Sequence, residues 1–223
     1  MQARIVSKAI LSHDPKERSD FMAMIMFGEM NTPVFWRPGD VCWTVVDGQD
    51  SLSYDNTYFK GNFYVLSPVN ELYVVDFDPK PKLRVVGPEI RVKGCVSEEY
   101  LIDFNGNLLL MERFCGFEET NLFTNGFNVI EPNLEENILY EWYDIDGYAL
   151  FVGKNSSIYV NVSHFPTCKR NGIYFTHITD ESRYACHDFG IYDMTDKKIS
   201  KFYSLEVFPA PVVLPVWLTP NPW

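Results

Sequence analysis

The stretch from Tyr100 to Phe114, YLIDFNGNLLLMERF, constrains the fold of this chain more than any other. Asn105-Gly106 accepts the positive φ angles of a type I′ turn, and the apolar runs on either side of it read as the two arms of a β-hairpin. A hairpin with one wet face alternates apolar and polar residues. Leu108 to Met111 does not alternate, so both faces of this strand need a cover.

Strand signals recur along the whole chain. Short runs rich in Val, Ile, Tyr and Phe are separated by turn residues at intervals of roughly 8–12 residues, the spacing of an all-β sandwich, barrel or propeller. Helical periodicity is confined to two short segments, around Asp14 to Asp20 and around Asn133 to Asn137. A weak repeat narrows the choice. GNFYVL from Gly61 is echoed by NGIYFT from Asn171, and each lies downstream of a strand with a tryptophan, Trp43 or Trp142. LRVVG from Leu83 followed by EEYLIDFNGNLLL from Glu98 fits the same plan without the tryptophan. An outer strand, a loop and an inner hairpin repeating at roughly 40–50 residues match propeller blades of about four strands. Blades packed between neighbours also explain a strand buried on both faces, which a two-sheet sandwich does not.

Charge and composition remove several classes of function. The formal net charge is −11, and no Lys/Arg cluster exceeds three residues in a short window, so nucleic acid is not an expected partner. The longest apolar run, Phe21 to Gly28, is far shorter than the ~20 residues of a membrane helix, and the N-terminus has no signal-peptide core. Five scattered cysteines (Cys42, Cys95, Cys115, Cys168 and Cys186) without a CxxC pair suit reduced thiols in the cytoplasm or nucleus. The sequons at Asn155 and Asn161 read as chance occurrences.

Catalytic and metal motifs are sparse. HDFG at His187 to Gly190 contains a kinase triplet without a Gly-rich loop, strand lysine or catalytic loop before it, and is read as leading into the strand IYDM. His164, Cys168, His177, Cys186 and His187 cluster in sequence, but their irregular spacing lacks the paired ligands of a zinc site. DIDG at Asp144 to Gly147 opens like a calcium loop, yet Asn155 stands where the bidentate Glu belongs, so a β-turn at Asp146-Gly147 is expected. No catalytic, cofactor-binding or metal residue is assigned, and no cofactor is expected. An enzyme or small-ligand binder using a central channel is the alternative, with Asp76, Asp78 and Asp193 as its acids.

In order, these segments resemble the plant F-box-associated KIB-type β-propeller family. SKAILSHDP (Ser7 to Pro15) is similar to a strand entering the middle of that propeller, and FWRPGDVCWTVV (Phe35 to Val46) to its Arg-x-Gly-Asp-x-x-Trp segment. Phe59 to Asp78 resembles its Gly-x-Phe-Tyr hairpin, and Tyr100 to Phe114 its most typical hairpin. Tyr148 to Ile178 and DFGIYDM continue in family order, and Pro209 to Trp223 resembles its closing Pro-x-x-Trp tail. One segment departs: IDGYALFVG stands where the family has Leu-Gly-(Asp/Glu)-x-(Ala/Ser)-Leu-Phe.

The resemblance implies an all-β fold, a partial β-propeller of about four to five blades built from four-stranded antiparallel sheets. Residues 1–208 form the incomplete propeller. Residues 209–223, with five prolines, form an extended strap that packs Trp217 inward. It also implies a non-enzymatic module that recognises an unknown substrate protein for a ubiquitin ligase. Nothing here resembles an F-box, so binding of a Skp-type ligase subunit is not expected, and a shortened, non-functional paralogue is a further alternative.

Overall fold

A computed structural model describes residues 6–48, 55–67, 71–90, 96–118, 121–155, 157–179, 186–201 and 217. Its seventeen described strands fall into four sheets. The first holds β1 (Val6–Leu11), β2 (Ala23–Phe27), β3 (Thr32–Trp36) and β4 (Thr44–Val45) in that order. The second holds β5 (Asp55–Phe59), β6 (Asn62–Leu66), β7 (Leu72–Asp76) and β8 (Lys82–Val85). The third holds β9 (Val96–Phe104), β10 (Asn107–Glu118), β11 (Asn121–Asn133) and β12 (Ile138–Trp142). The fourth runs β14 (Ile158–Asn161), β13 (Tyr148–Val152), β15 (Gly172–Thr179), β16 (Cys186–Asp193) and β17 (Lys198–Lys201).

Sheets of this size, made in succession by neighbouring strands, are the blades of a β-propeller, and the described residues form four of them. The repeat takes the expected form. Trp43 immediately precedes β4 and Trp142 ends β12, each at the fourth strand of its sheet, and an inner hairpin of the next sheet follows. The fourth strands of the first three sheets begin at Thr44, Lys82 and Ile138 and the last strand at Lys198, so the first interval falls short of the expected period of roughly 40–50 residues and the other two exceed it, one where the strands of the third sheet lengthen and one where the fourth sheet gains a fifth strand. The fourth sheet adds a feature: β13 pairs in parallel with β15, Leu150 opposite Ile173, with β14 on its far side.

The structure divides into two compact units. The first comprises Met1–Val92, Leu101–Leu110 and Glu131–Tyr140; the second comprises Lys93–Tyr100, Met111–Ile130 and Glu141–Trp223. In the first unit the second sheet is covered on both sides. Phe63 and Val65 of β6 join Met24, Met26 and Phe35 of the first sheet. Tyr64 and Leu66, on the opposite face, join Leu101, Leu108 and Leu110 of the third-sheet hairpin. The hairpin turn has the expected geometry, with Asn105 at φ 49° and Gly106 at φ 77°. Leu109, Leu110 and Met111 are each 0% exposed, which is what the unbroken apolar run demanded.

The two expected helical segments are turns. Asp14 gives its carbonyl to the N–H groups of Glu17 and Arg18 and its carboxylate to Lys16 N–H, and the chain then enters β2. Asn133 accepts from Glu135 N–H and Glu136 N–H, and Asn137 at φ 59° turns the chain back into β12. In both, a side-chain acceptor satisfies the local donors within one turn, and no apolar stripe follows to extend a helix.

Leu110→Ala, in the fully covered part of β10, is expected to lower unfolding free energy by about 2–5 kcal/mol. Val41→Ala, at a solvent-exposed loop position, should stay within about 0.5 kcal/mol of the native chain. Urea unfolding followed by tryptophan fluorescence measures both.

Candidate functional site

In the first unit, the loop between β3 and β4 exposes Val41 fully and Trp43 in part. Arg37 to Asp40 is a closed turn: Asp40 N–H donates to the Arg37 carbonyl at 2.9 Å, and Arg37 N–H donates to the Asp40 carboxylate at 2.8 Å. The Arg37 guanidinium lies over the rings of Phe35 and Phe77 at 5.3 and 4.9 Å, a cation–π clamp. Trp36 donates its indole N–H to the Asp40 carbonyl at 3.0 Å. Its ring meets Phe21 at 6.1 Å and Trp43 at 6.4 Å, and Val41 beside it is fully exposed. A rigid loop thus holds an aromatic group at the surface.

A buried charge joins three sheets in the same unit. Asp55, at the start of β5, contacts the Lys8 ammonium of β1 and accepts the Leu101 N–H of β9 at 2.8 Å. It also accepts Asn56 N–H at 2.8 Å. Burial pushes the Asp55 carboxyl up from its ordinary range, against the pull of Lys8 and the two backbone donors. Lys8 and Asp55 are both buried, so each depends on the other.

The second unit has a larger polar network. Arg113 is fully buried. Its Nε donates to the Thr124 hydroxyl at 2.7 Å and its Nη2 to Asp188 at 3.1 Å. Thr124 donates both its N–H and its hydroxyl to the same Asp188 oxygen. Glu98 lies 3.5 Å from Arg113 Nη1 and is also contacted by Lys154 and by the Tyr100 hydroxyl. His177 Nδ1 comes within 2.9 Å of Glu98 but off the line a hydrogen bond requires, and its Nε2 has no hydrogen-bond partner. Burial alone pushes the Glu98 carboxyl up; His177, Lys154 and Arg113 outweigh it and hold the group well below the usual carboxylate range. Glu99, one residue on, shows the opposite balance. Burial and the nearby Glu112 charge raise its carboxyl to about 7. Asn128 donates to Glu112 at 3.2 Å.

The residues singled out in the sequence have separate fates. Asp188 of HDFG lies inside β16 rather than ahead of it, as the acceptor for Arg113 and Thr124. Gly190 is mid-strand and does not start one. A Cβ there would stand 2.8 Å from the Phe175 ring and 2.9 Å from the Ser200 carbonyl, so close approach explains the glycine. His164 is exposed in a loop, Cys168 half-buried and His177 buried in β15. The side chains of Cys186 and His187 lie outside the described set. Among the described residues no group of three or more His, Cys, Asp or Glu side chains could hold a metal ion. DIDG makes the expected turn: Tyr148 N–H donates to the Ile145 carbonyl and Gly147 has φ 78°.

The channel acids have local duties. Asp76 ends β7 opposite Lys82 and accepts Asp78 N–H at 3.2 Å, while Asp78 is exposed in the following turn. Asp193 accepts Thr195 N–H at 2.7 Å and pairs with Lys169 at 2.6 Å. Burial pushes the Asp193 carboxyl up, and Lys169 with the turn N–H groups brings it below its ordinary value.

Of the strap, residues 209–216 and 218–223 lie outside the described set; Trp217 is half-buried. Its indole N–H donates to the Val152 carbonyl at 2.8 Å and its ring sits edge-on to Phe151 at 4.9 Å. The Asn155 amide donates to the Trp217 carbonyl and accepts its N–H, which occupies the first sequon's side chain.

Sequence reasoning missed the Lys8–Asp55 and Arg113–Asp188 pairs. The signal was present: Arg113 directly extends the doubly covered run Leu108 to Met111, and a charge there requires a buried counter-charge. Which acid supplies it is set by a contact 75 residues away, which no local pattern encodes.

Four sheets with sheet-on-sheet cores and buried charged pairs on their strands define a β-propeller domain. The family model for the KIB1-4 beta-propeller matches residues 1–193, and the chain belongs to that family. No curated protein and no solved structure matches it significantly.

Asp55→Ala strands Lys8 without its counter-charge and is expected to cost about 3–5 kcal/mol in unfolding free energy, read from the urea midpoint. Glu99 sets a pH dependence of definite sign. Because its folded-state value of about 7 exceeds the ordinary 4.5, the folded state holds a proton that the unfolded state has lost between those values. Stability should therefore fall as pH rises from 4.5 to 7 and level off above. Glu99→Gln should flatten that segment of a pH series of urea midpoints. Glu98, held low, acts only as pH falls below the ordinary carboxylate range, so the two windows separate.

Proposed function

We propose that this propeller is a protein-recognition module rather than an enzyme. The observation that carries the reading is the loop between β3 and β4: Trp36, Trp43 and Val41 are held at the surface by a closed, cation–π-clamped turn. A rigid aromatic anchor with an exposed apolar neighbour is the composition of a protein-binding hot spot. The described inner charges support it from the other side. Lys8, Asp55, Arg113 and Asp188 are engaged within the fold, a use suited to a scaffold. Reduced Cys42, Cys115 and Cys168 agree with a cytoplasmic or nuclear setting. Among the described residues no helix is long and apolar enough to cross a membrane.

Within this reading the ligase-adaptor role is the narrower form, in which the recognised protein is a ubiquitylation substrate. Direct mixing of the purified chain with a Skp-type linker subunit is expected to give no complex; a stable one would make the chain an adaptor in its own right. Affinity capture of the tagged chain from cells, with mass spectrometry, tests the broader reading. Heterologous proteins enriched by the native chain should drop by about tenfold or more with Val41→Asp. Equal recovery with both forms would remove the loop from the proposal.

A further inference from the structure

The last strand of each sheet has one margin with no further strand beside it, and three of the four are blunted there. β4 is two residues long. β8 carries Lys82 and Arg84, and its margin is already occupied. Asp47 runs parallel to it, donating its N–H to the Pro81 carbonyl at 2.9 Å and accepting the Leu83 N–H at 2.7 Å. β17 is bounded by Lys198 and Lys201. Short length, lysine and a covering segment are the ordinary means by which a sheet edge is kept from adding a strand. β12 uses none of them. It is five residues long, has no Lys, Arg or Pro, and ends its sheet beside β11. Among the described residues no backbone group outside the sheet bonds to Ile138, Leu139 or Tyr140.

The side chains at that margin are apolar on one face and acidic at its approach. Ile138 and Tyr140 are 43% and 44% exposed, while Leu139 between them packs against the core of the first unit. The turn that leads into the strand exposes Glu135 and Glu136. Glu136 accepts the Tyr140 hydroxyl at 2.7 Å and the Asn133 amide at 3.1 Å, and neither carboxylate meets a cation among the described residues. The sequence extends this charge. From Glu131 to Gly147 it holds Glu131, Glu135, Glu136, Glu141, Asp144 and Asp146 and not one Lys or Arg, in a chain of net charge −11.

We propose that β12 accepts an extended, basic segment of another protein as an added strand of its sheet. Main-chain pairing supplies the attraction common to any added strand, and the side chains of the margin select the occupant. Alternate residues of the added strand stand beside Ile138 and Tyr140, where apolar side chains fit. The carboxylates of the approaching turn complement Lys or Arg on the remaining positions. The same carboxylates exclude a second copy of this chain, since two β12 strands side by side would set acid against acid. Asp47 shows the mode within the first unit, for it adds to β8 through its own N–H and carbonyl. This inference goes beyond the recognition loop: it concerns β12 rather than Val41 and names a partner of different chemistry.

Fluorescence anisotropy of a labelled peptide of about eight residues, alternating Lys and Val, titrated with the full purified chain, tests it. Binding is expected, and it should weaken by about tenfold between roughly 0.05 M and 0.2 M salt. An alternating Lys-Pro peptide has the same charge but lacks every second N–H, and should bind about tenfold more weakly. Ile138→Lys and Glu135→Lys, both at exposed positions, should each raise the Kd of the Lys-Val peptide by about tenfold. Val85→Lys adds a positive charge to β8 and should leave it unchanged, with circular dichroism matching the native chain in all three. Val41→Asp should bind the peptide as the native chain does, so failure of the recognition loop and failure of this edge are told apart. No binding at about 1 mM, equal binding of the two peptides, or binding that survives Ile138→Lys would overturn the proposal. A native chain that sediments as a dimer, with Ile138→Lys a monomer, would give the edge to a second copy and overturn the basic partner.

Discussion

The first unit is organised around one carboxylate. Asp55 lies on the first strand of the second sheet and draws in a side chain from the first strand of the first sheet and a backbone N–H from the first strand of the third. Apolar contacts between the sheets are many and individually weak, and they tolerate small slides of one sheet on another. A charge buried among them does not, because an ammonium or carboxylate displaced by an ångström loses its partner while still lacking water. The hydrophobic cores bring the sheets together, and Asp55 fixes their alignment.

The second unit solves the same problem with a different geometry. Arg113 uses its flat, multiply donating guanidinium to hold Thr124 and Asp188 on separate strands while approaching Glu98. Neighbouring positions in β9 then differ sharply in character. Glu98 meets cationic groups and stays ionised, and Glu99 meets another carboxylate and keeps its proton toward neutrality. Alternate residues of a strand point to opposite faces, so two chemically identical side chains occupy opposite electrostatic environments.

How much of this was legible in the sequence follows from the range of each interaction. The hairpin at Asn105-Gly106 and the covered run Leu108 to Met111 are local, and both stand as read. The repeat of fourth strand and inner hairpin was visible through Trp43 and Trp142 because it depends on patterning within single strands. Asp14 and Asn133 misled because a single capped turn and a helix begin alike. The parallel pairing of β13 with β15 left no trace, since a strand order that skips β14 is decided by packing rather than by the strands' composition. The candidate site divides in the same way. The Arg37-Pro38-Gly39-Asp40 turn is a local motif, whereas the acid that meets Arg113 is found only in three dimensions.

The alignment through Asp55 has a temporal side. Its two partners across the sheets are separated from it by 47 and 46 positions in the chain, one already synthesised and one still to come. On a ribosome adding about 5–20 residues per second, Leu101 emerges roughly 2–9 s after Asp55. Through that interval the first two sheets can collapse on each other, but the carboxylate that registers them lacks one of its donors. Asp55 therefore completes its set of donors only once the third sheet begins, with Lys8 and the Asn56 N–H already in the chain before it.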